Sequence, residues 1–385
     1  MERWNHLLTR PALRSNYSEG NRVRLFTDGD HRFRALWTDI DRAEERVWME
    51  TFIFEPDAVG RRTLRALTDA ARRGCDVVLI YDSQGSSEVT EALFRPLREA
   101  GGEVVAFNPV YPWHRAQRRI MNPLHRDHRK ILIIDDRTAY TGGANVSRHY
   151  AGEEWGTGRF IDLLLRVEGP AVQDLARIFL QSLSKVPSSA GERSVPGRRD
   201  TDPEGVPACV LGLDERLDKH ALDRLLRKAV KQAQERCLVT AAYFIAPPWL
   251  RKALATAARR GVEVQIVTAG RTDNRLARTA KRHVYGELLK SGARIYEMHD
   301  RMLHAKHLVI DSSFSFVGSY NMDRWSDVHN LEVGAAVVDA TLARQLHDHH
   351  RTHRAHSQAY TLARWRERPL HRRLQQWGLY ALMQV

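Results

Sequence analysis

The chain has 385 residues, 43% apolar and 28% charged, with a mean hydropathy of −0.48. This is an ordinary folding composition that excludes a disordered, collagen-like or integral-membrane chain, and its length suits two or three domains. Sixty Lys and Arg against 47 Asp and Glu leave a net charge of +13 and a pI near 9.9, which points to a phosphate-rich partner: nucleic acid or an anionic membrane.

From the N-terminus, residues 1–20 alternate charges with single apolar residues and hold no apolar core of a signal peptide. No run approaches the ~18 apolar residues of a spanning helix, so any membrane contact is expected at the surface. Residues 47–54 read as a strand, followed by a helix that ends in Ala70-Ala71-Arg72-Arg73-Gly74, a second strand over 76–82, and a helix end, glycine and strand over 97–107. Residues 108–127 are irregular, with Pro109, Pro112, Trp113, Pro123 and several arginines, and suit a substrate-binding loop. The same sequence of elements then returns. A strand over 238–244 leads to Ala257-Ala258-Arg259-Arg260-Gly261, a strand over 262–268 and a helix end, glycine and strand over 288–296. The protein therefore reads as two copies of one α/β unit. The aperiodic stretch 186–206, rich in Pro, Ser, Gly, Arg and Asp, reads as the linker. Cys75, Cys209 and Cys237 are an odd, scattered trio with no CxxC pair, which argues against a disulfide framework and a cysteine metal site and fits a reducing compartment.

The chemistry sits in a motif that each copy carries: His128, Lys130 and Asp135, then His304, Lys306 and Asp311, in the pattern His-x-Lys-x4-Asp and 176 residues apart. Strand-forming runs separate Lys from Asp, and a period of two puts His and Lys on one face. Downstream, Gly142-Gly143-Ala144-Asn145 matches Gly318-Ser319-Tyr320-Asn321 at the same offset. Two lysines and two asparagines suit a phosphodiester and the extra charge of its trigonal-bipyramidal transition state. A neutral histidine can attack phosphorus, and a protonated one can give its proton to the departing alkoxide. One copy holds half of this chemistry; two copies about a pseudo-twofold axis hold all of it. Lysine beside each histidine and the lack of an acidic cluster argue against a metal site, and no cofactor is implied.

The doubled motif, with 50–54, 165–170, 242–244, 317–323 and 330–332, resembles the phospholipase D superfamily over most of the chain, and within it the bacterial cardiolipin synthases of the short type without N-terminal membrane helices. The resemblance implies an α/β fold of two tandem phospholipase D-like α/β/α sandwich domains related by a pseudo-twofold axis. The expected boundaries are 1–185, a linker over 186–206, 207–356, and a C-terminal basic amphipathic segment over 357–385. It implies phosphatidyl transfer between two phosphatidylglycerol molecules through a phosphohistidine, without metal, by a monomer. His128 would be the nucleophile and His304 the acid, then base; the symmetric motif by itself favours neither order. Lys130, Lys306, Asn145 and Asn321 would hold the phosphate, and Asp135 and Asp311 would fix local structure. A carboxylate downstream of each motif would orient that motif's histidine, with Asp162 and Glu332 the candidates, 34 and 28 residues past their histidines. Family members often carry a serine shortly after the second asparagine, and here Ser326 follows in a Trp325-Ser326-Asp327 context. The implied partners are anionic phospholipid and the membrane surface, with no obligatory nucleic acid, and the implied place is the cytoplasmic face of the bacterial cell membrane, peripherally bound. The competing reading is a phosphodiesterase of the same fold that hydrolyses phospholipid or nucleic acid.

Two further features close the chain. His347, His349, His350, His353 and His356 have helical spacing and read as a basic exposed helix, with metal binding the lesser alternative. After Pro369, Leu370, Leu374, Trp377 and Ala381 share one helical face, with His371, Arg372 and Arg373 elsewhere around it. That helix suits either a lipid interface or packing on its own domain.

Overall fold

The computed structural model describes residues 2–10, 13–109, 122, 124–186, 193–195, 197, 201–214, 220–272 and 275–383. Trp113, most of its loop and, within the 186–206 stretch, residues 187–192, 196 and 198–200 lie outside the described residues.

The first half runs α1 (Glu2–Leu8), β1 (Tyr17–Phe26), α2 (Gly29–Asp41), β2 (Arg46–Thr51), α3 (Ala58–Arg72), β3 (Asp76–Asp82), α4 (Glu91–Glu99), β4 (Glu103–Phe107), β5 (Arg126–Asp127), β6 (Ile131–Ile134), β7 (Thr138–Gly142), β8 (Phe160–Ile161), β9 (Leu164–Glu168) and α5 (Ala171–Leu183). The second runs β10 (Val206–Leu213), α6 (Ala221–Gln232), β11 (Arg236–Ala241), α7 (Pro248–Arg259), β12 (Glu263–Ala269), α8 (Arg275–Lys290), β13 (Arg294–Met298), β14 (Met302–Leu303), β15 (His307–Ile310), β16 (Phe314–Gly318), α9 (Arg324–His329), β17 (Asn330–Val338), α10 (Ala340–Ala355), β18 (Ser357–Ala359), α11 (Leu362–Arg366) and α12 (Leu370–Leu382).

One sheet crosses the whole molecule in the order β18-β13-β12-β11-β15-β16-β17-β10-β1-β9-β7-β6-β2-β3-β4, with β5 added beside β17. Outward from the antiparallel β1–β10 pair, the two halves repeat one order: β1-β9-β7-β6-β2-β3-β4 and β10-β17-β16-β15-β11-β12-β13. This is the expected α/β duplication about a pseudo-twofold axis. The repeated Ala-Ala-Arg-Arg-Gly ends α3 and α7. Gly74 and Gly261 take φ of 95° and 90°, a left-handed turn that costs a residue with a Cβ, and the chain passes directly into β3 and β12. The strands at the centre of each half, such as Val77–Tyr81, are buried on both faces because helices cover both sides. Helices α5 and α10 share an inner core with the central strands, while α2–α4 and α6–α8 form an outer core on each half.

The ends of the chain depart from the boundaries read in the sequence. Helix α1 packs on the second half: Trp4, Leu7 and Leu8 are fully buried among α6 residues, Trp4 lies 5.1 Å from Phe314, and Arg3 pairs with Asp311. A single turn-and-a-half of apolar spacing says that a helix packs, not on which core. The C-terminal segment likewise begins as part of the second half, with β18 adding an antiparallel edge to β13.

The motif aspartates close each half. Asp135 and Asp311 adopt φ of 50° and 54° and turn their carboxylates back onto the start of the neighbouring strand. Asp135 accepts from the N–H groups of Glu44, Glu45 and Arg46 at 2.8–2.9 Å; Asp311 accepts from Gln234, Glu235 and Arg236 at 2.7–3.2 Å. Asp135→Ala would leave three donors without an acceptor and is expected to destabilise by about 2 kcal/mol or more. A fall in Tm of several degrees, read by calorimetry, would bear this out, and an unchanged Tm would refute it.

Candidate active site

Each catalytic candidate is fixed by the opposite half. Strand β5 pairs in parallel with the start of β17, Arg126 with Asn330 and Asp127 with Leu331, and the His128 N–H donates to the Leu331 carbonyl at 3.0 Å. Strand β14 pairs in parallel with β8, Met302 with Phe160 and Leu303 with Ile161, and the His304 N–H donates to the Ile161 carbonyl at 2.8 Å. The next residue on each guiding strand segment is a carboxylate. Glu332 therefore meets His128, with both oxygens 3.0 Å from Nδ1, and Asp162 meets His304, with Oδ2 2.6 Å from Nδ1. The pairing is crossed. The expectation that Asp162 orients the first histidine and Glu332 the second is corrected: sequence distance suggested a partner within the same half, but the short β5 and β14 strands hand each histidine to the other half. Both carboxylates are fully buried, and each leaves Nε2 of its histidine for a reacting atom.

The lysines join the two halves electrically. Lys130 Nζ donates to the His128 carbonyl at 2.7 Å and lies 5.2 Å from the Phe52 ring centre. Lys306 Nζ lies 2.9 Å from Nδ1 and 3.2 Å from Nε2 of His304, and donates to the carbonyl of that residue. Burial, then the charges of Lys130, Lys306 and His304, hold His128 well below the usual histidine range. Burial brings Lys130 down to about 7, against the pull of Glu332. His128, His304 and Lys130 thus each sense charges from both motifs, which brings the two motifs close together across the seam.

The two carboxylates differ. Burial pushes Asp162 up, but Lys306 and His304 outweigh it and hold it at about 2, so it is ionised at neutral pH. Burial lifts Glu332 to about 7, although Lys130 and hydrogen bonds from Ser319 and Asn330 favour its charged form. His304 is lowered by burial and Lys306, while the ionised Asp162 favours its protonated form. Carboxylates pushed apart in this way mark two histidines with different proton affinities.

The asparagines are buried. Asn145 accepts from the Ile53 N–H at 3.1 Å and donates to the Tyr150 hydroxyl at 2.8 Å. Oδ1 of Asn321 has no hydrogen-bond partner among the described residues. Gly143 serves the site by closeness to its carboxylate, since a Cβ there would collide with Asp162. Ser326 is buried in the first turn of α9, where its N–H donates to the capping Asp323 at 2.8 Å.

Several contributors escaped sequence reasoning. Phe52 packs edge-on against His128 at 5.0 Å; Tyr150 and Phe160 lie 5.3 Å and 5.8 Å from the His304 ring. Buried Arg129 holds the seam by donating to the carbonyls of Glu332 and Leu213 and to the Ser182 hydroxyl. Phe52, Ser319 and Asn330 lie within the stretches that carried the family resemblance, whereas Tyr150 left no signal.

The histidine helix also differs from expectation. His349 and His350 on α10 are buried, not exposed. His307, one residue past Lys306 and on the opposite face of β15, places Nε2 3.2 Å from His349 Nδ1; His349 Nε2 lies 3.1 Å from His353 Nε2. His350 meets the Thr240 hydroxyl at 3.0 Å. Burial lowers His349 and His350 to about 3, so they pack as neutral rings. His349 faces its two neighbours with opposite ring nitrogens, which gives the three no common point for an ion.

Comparison with known proteins agrees with this geometry. The family model described as "Cardiolipin synthase, PLD-like domain" matches twice, over residues 36–181 and 226–353. The chain belongs to that family. Cardiolipin synthase B of Salmonella typhi is 31% identical over 338 residues, covering 87% of this chain and 81% of its own, and the major cardiolipin synthase of Bacillus subtilis is 30% identical over 360, covering 92% and 73%. The crystal structure of phosphatidylserine synthase from Haemophilus influenzae superposes on 100% of this chain and 99% of its own with a TM-score of 0.69 at 14% identity, which shows the shared fold. This family member has no helix among its described residues long and apolar enough to cross a membrane.

The crossed pairing has its own spectroscopic test. Asp162→Asn should remove the low-field Nδ1 proton resonance of His304 and leave that of His128; Glu332→Gln should do the reverse. Loss of the His128 signal on Asp162→Asn would contradict the crossing.

Proposed function

We propose that the protein is a cardiolipin synthase that joins two phosphatidylglycerol molecules, releasing glycerol, through a phosphohistidine. Family membership makes it a phosphatidyltransferase of the phospholipase D superfamily. The observation that carries the mechanism is the pair of crossed, buried histidine–carboxylate bonds beside the two buried lysines.

Neutral His128 attacks the phosphorus of the first phosphatidylglycerol with Nε2. A P–N bond forms and the P–O bond to the glycerol headgroup breaks. His304 gives its Nε2 proton to the departing oxygen, so glycerol leaves neutral. The terminal hydroxyl of a second phosphatidylglycerol then yields its proton to His304 and attacks phosphorus. A new P–O bond forms as the P–N bond breaks, cardiolipin is released, and both histidines return to their starting forms. Lys130, Lys306, Asn145 and Asn321 balance the charge of the two pentacoordinate states. Glu332 stabilises the cationic ring of phosphorylated His128. The strong depression of His128 supports its part as the neutral nucleophile; ionised Asp162 favours the charged form of His304, against burial and Lys306, and supports it as the acid. The enzyme works peripherally at the cytoplasmic face of the bacterial membrane, as a monomer.

Incubation with phosphatidylglycerol vesicles should yield cardiolipin and glycerol in equal amounts. Phosphatidic acid as the main product would replace transfer with hydrolysis. Because lysines supply the positive charge, EDTA should leave the rate unchanged; a loss restored by a divalent ion would overturn that assignment.

The roles separate by leaving group. His128→Ala should lose about 10³-fold or more in rate on any substrate. His304→Ala should lose as much on phosphatidylglycerol but far less in the first step of a p-nitrophenyl phosphodiester, whose leaving group needs no proton. Equal losses for both variants on the activated substrate would refute the division of labour.

A further inference from the structure

Helix α12 is docked on one side and apolar on the other. Gln376, Leu379, Tyr380 and Met383 face inward: Gln376 is buried, and the other three pack against Ile245, Ala277 and Ala280. Tyr380 stacks on His283 at 4.7 Å and accepts from Arg251 at 2.8 Å, and Arg368 donates to Gln376. The helix is therefore fixed on α8 and is no loose tail. Its outer side carries Leu370, Leu374, Trp377 and Leu382, which are 67%, 59%, 58% and 64% exposed. Eight large hydrophobic side chains are exposed among the described residues, and these are four of them; a fifth, Leu276, stands on α8. Such concentration is a patch with a purpose rather than scatter.

We infer that this outer face of α12 lies in the headgroup region of a bilayer rich in anionic phospholipid and holds the active site at the membrane. The charge around the face selects that occupant: His371 and Arg373 flank the apolar row on either side, Arg372 adds charge in the same exposed first turn, α12 contains no acid, and Arg364 and Arg366 precede it. Apolar Leu and Trp beside basic residues, on a helix too short and too polar to span, fit an interfacial helix. Position gives the helix its use. Its docked face packs on the cluster that contains Ile245, just past β11. β11 pairs with β15, whose first residue, His307, follows Lys306. A bilayer on α12 thus lies alongside the segment that borders the catalytic strand. The packing reading of the segment holds for the docked face, and the inference gives the lipid reading to the outer face of the same helix.

The inference rests on the lipid-transferase reading, and the test separates the two. The full chain and a Leu374→Ser/Trp377→Ser variant would be compared for co-sedimentation with phosphatidylglycerol/phosphatidylcholine vesicles, for turnover of a short-chain monomeric phosphatidylglycerol, and for sedimentation velocity without lipid. Both changed side chains are exposed, so thermal stability should be unchanged. The variant should partition at least about tenfold more weakly and keep its short-chain turnover. Arg372→Glu/Arg373→Glu should weaken binding to the anionic vesicles, and the preference of the full chain for them over phosphatidylcholine vesicles should fall with salt. Equal vesicle binding by the full chain and the Leu374/Trp377 variant overturns the inference. So does a full-length dimer that the variant converts to monomer, since a second copy would then cover the face. If neither protein turns over the short-chain lipid, the transferase reading fails, and the vesicle arm still decides the surface.

Discussion

Everything in the site depends on two hydrogen bonds that run between the halves: His128 to Glu332 and His304 to Asp162. Neither half can orient its own histidine. The pseudo-twofold axis at the β1–β10 seam therefore does more than double a domain. It makes the smallest chemically complete unit the whole duplicated chain, and the guiding strands β5 and β14, two residues each, are where that dependence is built.

Symmetry of backbone coexists with asymmetry of charge. Both histidines start from one motif, but Asp162 is held at about 2 and Glu332 at about 7. An aspartate brought close to a lysine and a histidine stays charged. A glutamate that also meets a lysine and a histidine, with hydroxyl and amide donors, is nevertheless lifted by burial to about 7. A single rotated pair of identical sites would perform the two steps of a double displacement with no preferred direction. Unequal carboxylates give the two histidines different surroundings: ionised Asp162 favours the charged ring of His304, while His128 faces a glutamate that burial has lifted.

The duplication and the motif were legible because they rest on local signals: a strand-period run between Lys and Asp, a repeated Ala-Ala-Arg-Arg-Gly, a constant offset; the part of the two aspartates came from the family resemblance, since their donors lie 75 to 91 residues away. What the sequence hid is long-range. Nothing in the spacing of Glu332 from His304 announces that it serves His128, 204 residues away. Helix α1 looked like part of the first half because chain order was the only guide. The α10 histidines looked solvated because their burial is decided by His307 and Thr240 on other strands, where neutral rings satisfy one another. The C-terminal helix offered one apolar row, and only packing shows that a different row docks.

The central claim is that His128, held by a carboxylate from the other half, carries the phosphatidyl group. Acid-quenched enzyme caught during turnover of phosphatidylglycerol, digested and sequenced by mass spectrometry, tests it directly. The account requires a phosphatidyl adduct on the His128 peptide that disappears in Glu332→Gln more completely than in Asp162→Asn. An adduct on His304, or one lost to the same extent in both variants, would contradict it.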